Sequence, residues 1–427
     1  MSHAAEYLPA PGIRSTTLES GITVVTEMMP GSLSVSTGVW VNVGSRDEAA
    51  EQSGCSHFLE HLLFKGTSQR SALDIAQAID AVGGEMNAYT TKEYTTFYTR
   101  TVAEDAALSL DILCDILSEP ALRDADIDSE RQVILEEISM RADEPADLVH
   151  DLVHEQLFGS HGLGRDTAGT AETVKATSAA HVRSFMDSTY GPASIVVSVA
   201  GAVDHDATVA QVDTCLRRED APVVVRQRPM SRGEHLVVLE EDTEQAHLVL
   251  SLPGMTRNDP DRFAFGLVDH VLGGGMSSRL FHEIREKRGL VYTVYSYRAA
   301  YEDAGFVGIY AGTAPQRLPE VLDLVQAELE RLRRDGMSDD ELRRAKSSVR
   351  GGTALGLEDS GARMSRCGRA QSLFGFVPSI DWVLGESDAV TQADVGRVIE
   401  RLSASPASLA VVGPVDAASL AGHPLLG

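Results

Sequence analysis

Apolar residues recur along this chain with two different periods. Ile22–Met28, Ser34–Val43, Thr95–Val102, His235–Glu240 and His247–Leu252 are short stretches rich in β-branched and aromatic residues, which predicts strands. Elsewhere the spacing is helical. Ala107, Leu110, Cys114 and Leu117 share one face of a helix predicted over Ala103–Leu117. Leu318, Val321, Leu322, Val325, Leu329 and Leu332 do the same in the second half of the chain. Ser338 followed by Glu341 has the form of a capping box, in which each side chain satisfies a free amide at a helix start. Hairpin-like strands followed by pairs of helices predict an α+β fold, with helices covering one face of a mainly antiparallel sheet.

The pattern occurs twice. Thr177–Val197 aligns without gaps with Thr391–Val411, offset by 214 positions, and seven of 21 residues are identical, Pro192-Ala193-Ser194 and Pro406-Ala407-Ser408 among them. Each copy reads as a capped helix, a proline-containing turn and a strand, Ile195–Val199 in one and Leu409–Val412 in the other. A weaker match pairs His61-Leu62-Leu63-Phe64-Lys65-Gly66 with His270-Val271-Leu272-Gly273-Gly274-Gly275. Two homologous domains follow, 1–217 and 233–427, each about 200 residues and of normal domain size. The segment Arg217–Arg232 carries five arginines and two prolines, so 218–232 reads as the linker.

Composition narrows the class. No apolar run is long enough for a membrane span. Met1–Arg14 has neither the basic-then-apolar form of a secretory signal nor the arginine-rich form of a transit peptide. A bacterial cytoplasm is the expected location. Cys55, Cys114, Cys215 and Cys367 are scattered, with no Cys-x-x-Cys spacing, which predicts free thiols in a reducing compartment. The net charge of −26 excludes nucleic acid and anionic membranes as partners. An acidic surface attracts basic peptides, and it also serves solubility alone.

The chemistry concentrates around position 60, in Ser56-His57-Phe58-Leu59-Glu60-His61-Leu62-Leu63. On a helix, His57 and His61 stand about 40° apart, so both imidazoles reach one ion. Glu60 lies on the same side and is not needed as a ligand. Two imidazoles beside a free carboxylate suit a hydrolytic zinc site, where the metal polarises water and the carboxylate takes its proton. His-x-x-Glu-His is the reverse of the commoner His-Glu-x-x-His order. As a bare pattern it also fits polar residues on a partly exposed helix. A third ligand must come from elsewhere. Glu130 and Glu137 are seven residues apart, about 20° from eclipsed, in the apolar stripe of Ile127, Ile134 and Ile138, whereas Glu136 points away. Carboxylates in such a stripe are costly unless paired or bound to metal.

Taken together, these words resemble the pitrilysin and mitochondrial processing peptidase family. The resemblance runs through His57-Phe58-Leu59-Glu60-His61-Leu62-Leu63-Phe64-Lys65-Gly66-Thr67, Asn87-Ala88-Tyr89-Thr90 and Glu130-Arg131-x-Val133-Ile134-x-Glu136-Glu137. In the second half it continues through Gly273–Phe281 and Arg285-Glu286-Lys287-Arg288-Gly289-Leu290-Val291-Tyr292. It covers essentially the whole chain and points to the roughly 45 kDa branch, whose subunits pair. The resemblance implies a zinc endopeptidase of short or unfolded peptides. His57, His61 and Glu137 would hold one zinc per chain, with Glu60 as general base and Glu130 as a carboxylate supporting a ligand histidine. Asn87 and Ala88 would lie on an edge strand that pairs with the substrate backbone. Phe64 would line the pocket just beyond the cleaved bond. Arg285 and Tyr292 would reach the substrate and the oxyanion, and family geometry makes them serve the partner's zinc.

The second half has lost its own metal group: Gly266 falls at the position of His57 and Asp269 at that of Glu60, leaving His270 alone. Because ligands, base and the Arg/Tyr pair all occur in one chain, the expected form is an active homodimer. The alternatives are a non-catalytic structural subunit and one partner of a heterodimer.

Overall fold

The computed structural model describes residues 12–230, 235–404 and 406–426. The N-terminal stretch read for targeting therefore lies mostly outside the described residues, as does the end of the expected linker. The chain forms two compact units, and neither is contiguous in sequence. The first comprises the chain through Ile138, Arg165–Arg226 and Thr353–Val383, and the second Ser139–Gly164, Gln227–Gly352 and the residues from Leu384 onward. The expected division at 218–232 differs from this. Residues as far as Arg226 are docked in the first unit, where Arg226 pairs with the buried Asp47 carboxylate at 2.8 Å.

The first unit is built on β1 (Ile13–Thr17), β2 (Thr23–Met28), β3 (Ser34–Val41), β4 (Glu85–Thr90), β5 (Thr95–Val102) and β6 (Ile195–Gly201). Their order is β1-β2-β6-β3-β5-β4, which leaves β4 at an edge. Only β2 and β6 run parallel. Its helices are α1 (Cys55–Leu63), α2 (Ala72–Ala81), α3 (Ala106–Ser118), most of α4 (Asp124–Ala142), α6 (Ala171–Ala176), α7 (Ala179–Thr189), α8 (His205–Cys215) and α12 (Ser360–Phe374). Alternate strand residues face opposite ways. Val24, Val39, Val41, Phe97 and Val197 pack with Phe58 of α1 and Leu113 of α3. Val25, Trp40, Val196 and Ala200 face the other way and meet Met364 and Cys367 of α12.

The second unit holds β7 (Leu236–Glu240), β8 (Ala246–Pro253), β9 (Val291–Ala300), β10 (Gly305–Thr313) and β11 (Ser408–Gly413), in the order β7-β11-β8-β10-β9. Here β7 and β11 are the parallel pair. Its helices are α5 (Pro145–Phe158), α9 (Arg262–Leu272), α10 (Leu318–Asp335), most of α11 (Asp339–Gly356), most of α13 (Ile380–Ala389) and α14 (Gln392–Leu402). Leu248, Leu250, Val307, Ile309 and Val411 pack under α9, α10 and α14. On the opposite face Val249, Phe306, Tyr310 and Val412 meet Val149 and Val153 of α5. The box predicted at Ser338 caps α11, with the Ser338 amide donating to Glu341 at 2.8 Å and the Glu341 amide to Ser338 Oγ at 3.3 Å.

The α+β class with two mainly antiparallel sheets is therefore observed. In addition to the helices on one face, each sheet carries a helix on the other, α12 on the first and α5 on the second. The 214-residue offset that aligns the halves maps α5 onto α12. The repeat thus places equivalent helices on opposite sheets: the one from the first half of the chain covers the second sheet, and the reverse. One expectation is corrected. Cys114 on α3 and Cys215 at the end of α8 form a disulfide, with Cα atoms 5.6 Å apart across 101 residues of sequence. Two helices brought together by the sheet juxtapose them, which spacing along the chain does not reveal. Cys55 and Cys367 are free and buried.

Helix α12 seats where it does because it carries no side chain at Gly368. A Cβ there would stand 2.2 Å from the Trp40 ring. Gly368→Ala is expected to cost about 1–3 kcal/mol through overpacking, read as a lower midpoint in denaturant unfolding. An unchanged midpoint would show that α12 is not packed against Trp40.

Candidate metal centre

Helix α1 is anchored by its apolar face: Phe58, Leu59, Leu62 and Leu63 are fully buried. It starts at Gly54, whose φ of 92° lies in the left-handed region. A side chain there would also meet the Ala168 carbonyl oxygen at 2.4 Å. The other face presents His57 and His61, with ring centroids 4.7 Å apart. Helix α4 brings up Glu137, whose Oε2 lies 3.7 Å from His57 Nε2 and 3.6 Å from His61 Nε2. Among the described residues, this is the one group of three histidine, cysteine or acidic side chains placed to hold a metal.

The donor set fits zinc. Tetrahedral ligands about 2.0–2.1 Å from zinc stand roughly 3.3 Å from one another, close to the observed separations. Two neutral imidazoles and one carboxylate are a common catalytic set, and they leave a position open. Glu130, also on α4, is buried, and its Oε2 lies 3.1 Å from His61 Nδ1. An Nδ1–H donated to this carboxylate leaves the Nε2 lone pair facing the metal position. Lys65 pairs with the other Glu130 oxygen at 2.5 Å, so the buried charge is compensated. Glu136 is exposed.

Glu60 is 9% exposed and is not part of the ligand group. The Thr90 hydroxyl donates to its Oε2 at 2.5 Å. Burial raises the Glu60 carboxyl above its ordinary range, while the Thr90 hydroxyl and nearby His61 pull it back down and Glu137 adds to the rise. Thr90 and Lys65 belong to the motif words, yet the sequence assigned them no role: neither a hydroxyl on an edge strand nor a lysine after a helix signals a partner by spacing.

Asn87 and Ala88 sit on β4, which pairs only with β5 among the described strands. The Ala88 amide is held by Asn87 Oδ1 at 2.8 Å. Beside this edge lies a cavity of about 560 Å³, lined by Phe64, Ile75, Ile79, Met86 and Asn87, with Asp80 and Glu85 also in its wall. The Phe64 ring stands 6.2 Å from that of Phe97.

Arg285 and Tyr292 belong to the second unit. The Arg285 guanidinium lies over the Phe281 ring at 4.7 Å and the Tyr292 ring at 5.2 Å, and Tyr292 is 78% exposed. In the second unit the positions aligned with His57 and Glu60 are occupied differently. Asp269 pairs with Arg298 at 3.3 Å and accepts the Ser296 hydroxyl at 2.6 Å. A Cβ at Gly266 would approach the same guanidinium to 3.1 Å.

Comparison with known proteins agrees with this picture. Residues 23–171 match the family described as insulinase (peptidase family M16), and residues 176–349 match the peptidase M16 inactive domain. An uncharacterized zinc protease of Streptomyces coelicolor is 44% identical over 94% of this chain and 90% of its own length. One from Mycobacterium tuberculosis is 43% identical, with 94% and 93% covered. One from Bacillus subtilis is 37% identical, with 94% and 98% covered. Among solved structures, a peptidase M16 inactive domain from Pseudomonas fluorescens superposes with a TM-score of 0.87 at 21% identity, covering 95% of this chain and 98% of that one. A protease from Helicobacter pylori gives 0.86 at 21%, covering 96% and 100%. The chain belongs to peptidase family M16, in the small processing-peptidase-like branch that its motifs resemble. Its relatives are zinc proteases by name, and no helix among the described residues is long and apolar enough to cross a membrane.

Glu137→Gln is expected to weaken zinc binding and activity together, because the amide is a poor ligand. Glu130→Gln keeps all three ligands but loses the charge that orients His61, and should lower zinc affinity roughly 10–100-fold. Competition against a chromophoric chelator measures both. Unchanged affinity in Glu137→Gln would move the third ligand elsewhere.

Proposed function

We propose that this chain is a zinc endopeptidase that cleaves short or unfolded peptides as a homodimer. The observation that carries the reading is the convergence of His57, His61 and Glu137 beside a separately held carboxylate, Glu60, in the unit whose sheet ends at the open edge of β4. Zinc in this group would supply Lewis acidity, polarising the peptide carbonyl and lowering the pKa of water. Glu60 takes the proton from the attacking water and returns it to the leaving amine. Thr90 occupies one Glu60 oxygen and so leaves the other for that proton. The substrate adds to β4 as a further strand, and the side chain beyond the cleaved bond enters the cavity beside Phe64. Arg285 and Tyr292 of the opposite subunit complete the site by steadying the oxyanion.

Glu60→Gln should retain about one zinc per chain and lose peptide hydrolysis, because the near-isosteric amide cannot accept the proton. Metal analysis together with a fluorogenic peptide assay tests this, and near-normal turnover would remove Glu60 from the reaction. A wild-type chain that binds zinc but cleaves no peptide would instead indicate a structural subunit or a missing partner.

Completion of the site across the dimer is tested by mixing. Glu60→Gln and Arg285→Ala homodimers should each be nearly inactive. In a mixed dimer one of the two sites regains both groups, so random reassortment should restore roughly a quarter of wild-type activity under two-fold symmetry. Absence of recovery in a purified mixed species would mean either that Arg285 acts within its own chain's site or that the dimer is not the working unit.

A further inference from the structure

The loop before α1 holds a buried carboxylate that the hydrolytic reading does not use. Glu48 is 5% exposed, and both of its oxygens reach the start of α1: the Gly54 amide donates to Oε2 at 2.8 Å and the Ser56 amide to Oε1 at 2.7 Å. The first amides of a helix have no partners within it. They are commonly satisfied by the side chain of the capping residue, but the residue at this position is Gly54 and has none. The task falls to a carboxylate six residues upstream, which also meets the positive end of the helix dipole. Burial pushes the Glu48 carboxyl up to about 7, against the pull of the two amides and of Arg165. A buried charge of this kind is costly, and a neutral cap would satisfy a helix start without it.

Glu48 is itself firmly placed. Arg165 donates to its backbone carbonyl. In the same loop the Ser45 and Arg46 amides bond the Thr91 and Lys92 carbonyls at 3.1 and 2.8 Å. Arg46 and Glu93 form a buried ion pair at 2.6 Å, and Arg226 joins Asp47 to the Glu93 carbonyl, at 2.8 and 2.7 Å. The turn so gripped follows directly on Thr90, the residue that holds Glu60. One loop therefore fixes the strand behind the base and, through Glu48, the helix carrying two ligands.

We propose that Glu48 is a positioning residue for the metal group: by gripping the Gly54 amide just before α1 and the Ser56 amide in its first turn with its two oxygens, it fixes the helix along and about its axis and so sets where the His57 and His61 nitrogens stand relative to Glu137. The inference rests on reading those three residues as metal ligands. Metal ligation tolerates displacements of only about 0.2 Å, and the nearer gripped amide, that of Ser56, belongs to the residue next to His57.

The test uses the full-length chain with two variants, Glu48→Gln and Glu48→Asp. Glutamine keeps one acceptor oxygen and turns an NH2 toward the second amide. Aspartate keeps the charge but is one methylene short. Zinc affinity is measured by chelator competition, and ligand geometry by the visible absorption of the cobalt(II)-substituted protein. Both variants should keep the wild-type circular dichroism, bind zinc roughly tenfold more weakly and show altered cobalt bands. Gly368→Ala, which loosens the same unit from the sheet face opposite α1, should lower the unfolding midpoint and leave the cobalt bands unchanged. Zinc affinity within twofold of wild type and unchanged bands in both Glu48 variants would overturn the proposal. Failure of both to fold would overturn it too, since Glu48 would then hold up the unit rather than place the helix. A wild-type chain that binds zinc without cleaving peptides would count against the self-sufficient homodimeric peptidase and leave this proposal standing.

Discussion

Helix α1 must be at once a core element and a carrier of ionisable groups, and the first unit is organised around that conflict. Four of its nine residues, Phe58, Leu59, Leu62 and Leu63, are buried without residue among apolar side chains. That leaves its axis little freedom, since interiors packed to crystal-like density resist shifts. Several of the polar groups the helix brings along find a partner where the helix puts them. Glu60 finds Thr90, His61 finds Glu130, and the Gly54 and Ser56 amides find Glu48. The site is pre-organised because the core will not move to accommodate it.

The two units solve the same architectural problem with different interiors. At the position of the first helical histidine the second unit has a glycine, and the room it leaves is taken by the Arg298 guanidinium, paired with Asp269. A charge pair made wholly of protein atoms thus stands beside the residue that the alignment pairs with His57. Burial raises the Asp269 carboxyl, and the Ser296 hydroxyl and Arg298 draw it back, so the replacement is internally neutralised.

Much of this was legible in the amino-acid sequence. Strands such as Ser34–Val43 and Thr95–Val102 announced themselves by β-branched composition, and the capping box at Ser338 by two residues at fixed spacing. The candidate metal group could be anticipated because four- and seven-residue separations on a helix translate directly into shared faces. Relations made by tertiary contact could not be read in this way. Nothing in the spacing of Cys114 and Cys215 joins them, Thr90 reaches Glu60 across 30 residues, and Glu48 caps a helix from outside the usual capping positions. The compact units escaped a linear division for the same reason: α5 and α12 cover sheets whose strands lie elsewhere in the chain, and no local pattern says which sheet a helix will cover.

That exchange of helices bears on how the protein is made. Trp40 emerges from the ribosome early, but the helix that covers it ends at Phe374, more than 300 residues later. At ribosomal rates of roughly 5–20 residues per second, one face of the first sheet stays bare for about 15 seconds or more. Contacts this distant in sequence carry a large closure entropy and form late. Until that helix arrives, the first sheet presents the apolar face of Val25, Trp40 and Val196 without its cover.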